Sequence, residues 1–85
     1  MVSFNYIIKE KAGLHARPAG MLSMKCKSLE SSIKVKCENK EADGKRLLSL
    51  MSLGAKCGQT LEFIIEGKDE IKAETEIKAF LEENI

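Results

Sequence analysis

The chain contains a single histidine, His15, two residues before Arg17 and three before the only proline, Pro18. After the proline, Ala19, Leu22, Cys26 and Leu29 recur at helical spacing, which predicts a helix starting near Pro18. His15, Ala16 and Arg17 then sit at its mouth, where first-turn N–H groups lack intrahelical partners and the helix dipole is positive. An anion on or beside His15 would meet those amides and the Arg17 guanidinium, an arrangement suited to a phosphoryl group. A neutral imidazole there has a ring lone pair with which to attack phosphorus.

No second histidine, paired carboxylates, nucleotide-binding glycine loop or metal-ligand cluster accompanies His15. The residues therefore describe an acceptor that needs a larger partner to bring the phosphoryl donor, and not an autonomous catalyst. No cofactor and no metal are expected. Spacing leaves a blander reading open as well, a histidine that only begins a helix beside a proline.

A second group of residues suggests a docking surface. Leu47, Leu50 and Met51 follow an i, i+3, i+4 pattern that predicts a short core-facing helix capped by Gly54, with Leu48 off that face. Lys45 and Arg46 stand at its entrance, where basic residues oppose the dipole, so Arg46 is not there for helix stability. Exposed aliphatic residues with a basic rim suit a protein partner, and methionine adapts to several partners. Lys25 and Lys27 complement the end of the first helix or extend the rim.

The remaining elements must hold these two groups in place. Val2, Phe4, Tyr6 and Ile8 alternate with Ser3, Asn5, Ile7 and Lys9, which predicts a first strand. Ser31-Ser32 is read as the end of the first helix, and Ile33, Val35 and Cys37 as one face of strand two. A turn at Asn39-Lys40 leads to a short third strand over 40–43. Leu61, Phe63 and Ile65 mark strand four, and Gly67-Lys68 turns the chain into a last helix carrying Ala73, Ile77, Phe80 and Leu81. Asp69 and Glu70 are placed against the positive end of that helix. The order βαββαβα, with short turns and one apolar face per strand, predicts an open-faced two-layer α+β sandwich on an antiparallel sheet.

Length and composition narrow the function further. Eighty-five residues suit one domain spanning 1–85, and 44% hydrophobic with 32% charged residues is a globular balance. A net charge of +1 provides no overall field for nucleic acid. Four aromatic residues, Phe4, Tyr6, Phe63 and Phe80, are too few for a base-stacking platform. No apolar run is long enough to enter a membrane, and no secretory leader pattern opens the sequence, so a cytoplasmic protein is expected. Cys26, Cys37 and Cys57 are odd in number and widely spaced, and are read as reduced thiols.

Gly13-Leu14-His15-Ala16-Arg17-Pro18-Ala19, followed some 30 residues on by Leu50-Met51-Ser52-Leu53-Gly54, resembles the HPr family. These proteins are histidine-containing phosphocarriers of the bacterial phosphoenolpyruvate-dependent sugar phosphotransferase system. The resemblance extends over essentially the whole chain and selects the phosphate reading of His15. It implies four antiparallel strands with three helices on one face, and a monomer. It implies that His15 accepts a phosphoryl group at Nδ1 from enzyme I and donates it to a histidine of a sugar-specific IIA component. Arg17 would be the adjacent cation, with the backbone N–H groups of Ala16 and Arg17 as amide donors. Leu47, Leu48 and Met51 would form the docking surface, with Lys27, Lys45 and Arg46 around it.

A regulatory paralogue that passes phosphate to a signalling or nitrogen-related IIA-type protein fits the same motifs. Two positions depart from the family pattern. Position 12, often small and polar, is Ala12, so backbone or water must replace one side-chain hydrogen bond. Position 46, in many relatives a serine phosphorylated by a regulatory kinase, is Arg46, which puts that control in doubt; Ser49 and Ser52 do not match it.

Overall fold

A computed structural model describes residues 1–85. The elements are β1 (Val2–Ile7), α1 (Ala16–Lys27), β2 (Ser32–Cys37), β3 (Lys40–Asp43), α2 (Leu47–Met51), β4 (Thr60–Glu66) and α3 (Glu70–Asn84). The four strands form one antiparallel sheet in the order β1-β4-β2-β3. This is the expected architecture, and the alternating sequence explains it: Leu61, Phe63 and Ile65 on β4 are fully buried while Thr60 and Glu66 are exposed. Only β2 and β3 are joined by a hairpin; every other connection carries the chain over the helical layer.

Register aligns the inward residues in rows across the sheet. Phe4, Phe63, Val35 and Ala42 form one row, with the Phe4 and Phe63 rings stacked 5.1 Å apart. Above this face pack Ala19, Leu22 and Cys26 of α1, Leu50 of α2, and Ala73, Ile77 and Leu81 of α3, all fully buried. The opposite face is open to solvent. Cys26, Cys37 and Cys57 are all free, and burial pushes the Cys26 thiol up to about 12, far from a reactive thiolate at neutral pH.

Several boundaries differ from the pattern-based expectation. The first helix begins at Ala16, two residues before Pro18, and ends at Lys27, four before Ser31. Its last turn tightens, with the Ser28 N–H shared between the Met24 and Lys25 carbonyls and the Leu29 N–H reaching Cys26 O at 3.1 Å. Leu29 is buried beyond the helix rather than on it. The β2–β3 turn is Glu38-Asn39, since Cys37 pairs with Lys40, and Glu38 takes the left-handed conformation. In α2 only Leu50 is buried; Leu47 and Met51 are 38% and 40% exposed, and the core contact expected of them is made by Leu53 after the helix. Gly54 is left-handed as expected, two residues beyond the Ser52 cap.

Asp69 also behaves differently from a simple helix cap. It is the N-cap residue of α3, but its carboxylate turns away and accepts the Glu30 N–H, the Ser31 N–H and the Ser31 hydroxyl. These bonds tie the start of α3 to the α1–β2 loop. Gly67 makes the same junction close, because a Cβ there would lie 2.6 Å from Ser31 Cα. Glu70 takes a different partner, the N-terminal ammonium at 2.9 Å.

The donors around Asp69, the Ser31 hydroxyl foremost, lower its carboxyl from the usual 3.8 to about 2. Its contribution to stability is complete above the unfolded value of 3.8 and is lost as pH falls through about 2. Asp69→Asn should therefore lower the urea midpoint at neutral pH and flatten the decline between pH 4 and pH 2. A variant with the same acid limb as the parent chain would contradict this assignment.

Candidate functional site

His15 is the N-cap residue of α1, in extended conformation at φ −86° and ψ −176°. Its carbonyl accepts the Ala19 N–H at 2.9 Å, opening the helix, while its imidazole makes no capping bond and is exposed. The N–H groups of Ala16 and Arg17 have no acceptor within the protein, and Pro18 has no N–H to satisfy. No acidic residue occupies the first turn of α1. Arg17 is exposed and makes no ion pair. The three residues singled out by type thus lie together at an open helix end.

The loop that delivers His15 is held from two sides. The Leu14 N–H donates to Ala55 O at 3.0 Å, and Leu14 is buried. Gly13 has φ +71°, and a Cβ there would lie 2.5 Å from the same Ala55 oxygen, so no other residue fits without displacing backbone. From the other side, the N–H groups of Lys9 and Glu10 both donate to Ile85 O, at 2.8 and 2.7 Å. At the departing position 12, the Ala12 N–H donates to Glu10 Oε1 at 3.3 Å.

This anchoring brings the end of α3 to the histidine. His15 and Arg17 share a groove of about 380 Å³ with Glu10, Pro18, Met21, Glu83 and Asn84. Glu83 and Asn84 are some 70 residues away in sequence, and no local pattern marks them; the groove forms only when α3 docks against β1 and α1.

The expected docking residues gather in a separate groove of about 580 Å³ lined by Lys27, Lys45, Arg46, Leu47, Leu48 and Ser49. Leu48 is 80% exposed, and Met51 lies one helical turn further on, outside the groove lining. Lys45 differs from the others because its ammonium donates to Leu29 O at 2.9 Å, holding the frayed end of α1. The unpaired cations of this groove are therefore Lys27 and Arg46. Arg46 is the N-cap residue of α2 and its side chain makes no capping bond.

Together, fold and site define a small open-faced α+β sandwich that presents one histidine at a helix mouth, with a separate basic-rimmed groove lined by the far end of the same helix and by α2. Residues 2–83 match the family described as PTS HPr component phosphorylation site. The phosphocarrier protein HPr of Mycoplasma genitalium is 36% identical over 85 residues, covering 99% of this chain and 97% of that one. The HPr-like protein Crh of Halalkalibacterium halodurans is 35% identical over 82 residues, 96% of this chain and 98% of the other. Among solved structures, HPr from Thermoanaerobacter tengcongensis superposes with a TM-score of 0.93 at 33% identity, covering 99% of this chain and 94% of that one. The chain belongs to the HPr phosphocarrier family.

Lys45 and Arg46 should separate structure from surface. Lys45→Ala, which leaves the Leu29 carbonyl without its charged donor, is expected to cost about 1 kcal/mol in chemical denaturation. Arg46→Ala is expected to stay within about 0.5 kcal/mol of the parent chain. Equal losses for both variants would show that the tether at Leu29 contributes nothing.

Proposed function

We propose that this protein carries phosphoryl groups in the bacterial sugar phosphotransferase system, accepting them from phospho-enzyme I on His15 and passing them to sugar-specific IIA components. The observation that carries this reading is the unengaged His15 imidazole at a helix mouth with two free amides and an unpaired guanidinium beside it. In the proposed transfer the Nδ1 lone pair of His15 attacks phosphorus as the donor's P–N bond breaks, and the donor ring keeps that electron pair. The amides of Ala16 and Arg17 and the Arg17 guanidinium then face the charge that accumulates on the phosphoryl oxygens. Transfer onward reverses the same steps onto the acceptor histidine.

Leu47, Leu48 and Met51, with Lys27 and Arg46 beside them, supply the surface on which enzyme I and IIA dock in turn, and a monomer suits that alternation. Lys45 contributes to this surface mainly by fixing its shape. A second reading fits the same motifs: a paralogue whose phosphoryl group goes to a signalling or nitrogen-related IIA-type protein.

Incubation with enzyme I and phosphoenolpyruvate should give one phosphohistidine signal by phosphorus NMR, absent from His15→Ala and discharged when a sugar-specific IIA is added. A signal that forms but persists would favour the regulatory paralogue; equal labelling of His15→Ala would defeat the proposal. Arg17→Ala should slow transfer roughly tenfold or more while changing stability by less than about 0.5 kcal/mol. Parallel losses of rate and stability would instead make Arg17 a structural residue.

A serine kinase acting on HPr proteins should leave this chain unmodified, since Arg46 has no hydroxyl at the regulatory position. Stoichiometric phosphoserine by mass spectrometry would overturn that expectation.

A further inference from the structure

The groove around His15 contains two groups that the proposed transfer does not use. Glu10 and Glu83 both line it, one from the loop leading to α1 and one from the last turn of α3. A site built only to retain a phosphoryl dianion would collect cations, whereas the lining of this groove includes one cation, Arg17, and two carboxylates. The carboxylates are not consumed by other partners: neither belongs to an ion pair. The Glu10 side chain accepts only the Ala12 N–H, and Glu83 makes no side-chain hydrogen bond.

The segments that carry them are held together by backbone bonds. The Lys9 and Glu10 N–H groups bind Ile85 O, and the Tyr6 hydroxyl donates to Leu81 O at 3.0 Å. These bonds fix the α3 terminus against the loop that carries His15, which keeps the Glu83 backbone beside the groove while its exposed side chain stays free to move. Of the two lysines that flank Glu10, Lys9 pairs with Glu82 at 3.3 Å and Lys11 lies outside the groove lining.

We propose that Glu10 and Glu83 are positioning residues that keep the transfer potential of phospho-His15 high. The argument rests on the phosphocarrier reading given above. A phosphoryl group adds about −1.5 to −2 charges at neutral pH, and two carboxylates lining the same groove repel it while it is on His15. Arg17 and the free amides supply attraction; the carboxylates limit it, so that the group is held for transfer but not trapped. In the transfer that this repulsion favours, the acceptor's ring lone pair forms a new P–N bond. The old bond's electron pair returns to His15 Nδ1, and one ring proton passes from acceptor to carrier through solvent.

The test is a partition experiment on the full chain. Equal amounts of parent and variant are mixed with catalytic enzyme I and limiting phosphoenolpyruvate, and phosphoryl occupancy of each is read by mass spectrometry once it is constant. Glu83→Gln and Glu10→Gln should each hold about three- to tenfold more phosphoryl group than the parent chain, by the scale of one partly screened charge pair. The excess should shrink at high salt. Glu30→Gln, at the far end of α1, removes the same charge outside the groove and should partition evenly. Even partition of the groove variants, or a preference for the parent chain, would overturn the inference while leaving the carrier function intact. Failure of the parent chain itself to become phosphorylated would remove both. Circular dichroism of each variant checks that α3 remains docked.

Discussion

The structure depends on β4. It lies between β1 and β2, and its Leu61, Phe63 and Ile65 are fully buried beneath the helices. A strand formed late in the chain thus completes the contacts of strands formed early, and the β1–β4 and β2–β4 pairings both join distant segments. With one sheet face covered and the other wet, all three helices must compete for the same side. Their ends then meet at the edge of the sheet, and the functional groove lies at one such meeting.

Chemistry and anchoring are divided between different groups. His15 and Arg17 keep their side chains free, and the loop before them is held instead by main-chain bonds to Ala55 and Ile85. A carrier needs this division, because a histidine used as a helix cap would have to break a native bond each time it reacted. Lys45 shows the opposite assignment: a residue grouped with the docking cations by its position spends its charge on the Leu29 carbonyl. At the far end of α1, Asp69 performs an equivalent anchoring task with its carboxylate on the 30–31 backbone.

The departures from family pattern are local and have separate consequences. Ala12 removes a side-chain donor near the site, yet its own N–H finds the Glu10 carboxylate, which also places that carboxylate in the groove. Arg46, where the resemblance implies a serine in many relatives, puts a permanent cation on the groove lined by Leu47 and Leu48. Electrostatic attraction to acidic partner groups would then act continuously there, affecting encounter rates more than stability.

Period-two and helical spacing were enough to place every strand and helix in order, because alternation and the 3.6-residue repeat directly encode which face is buried. The same patterns overextended α1, since Leu29 is apolar for a core contact that it makes from an irregular turn, and assigned Leu47 and Met51 to the core where a five-residue helix buries only Leu50. The place of His15 and Arg17 at a helix start is legible because residue type, helix start and proline are neighbours in sequence, while the phosphate reading of that place comes from the family resemblance. Glu83 and Asn84 had no such signal. Their place beside His15 follows from α3 docking on β1 and from the Ile85 carbonyl meeting Lys9 and Glu10, and contacts between the two ends of a chain are decided only when the core between them has closed.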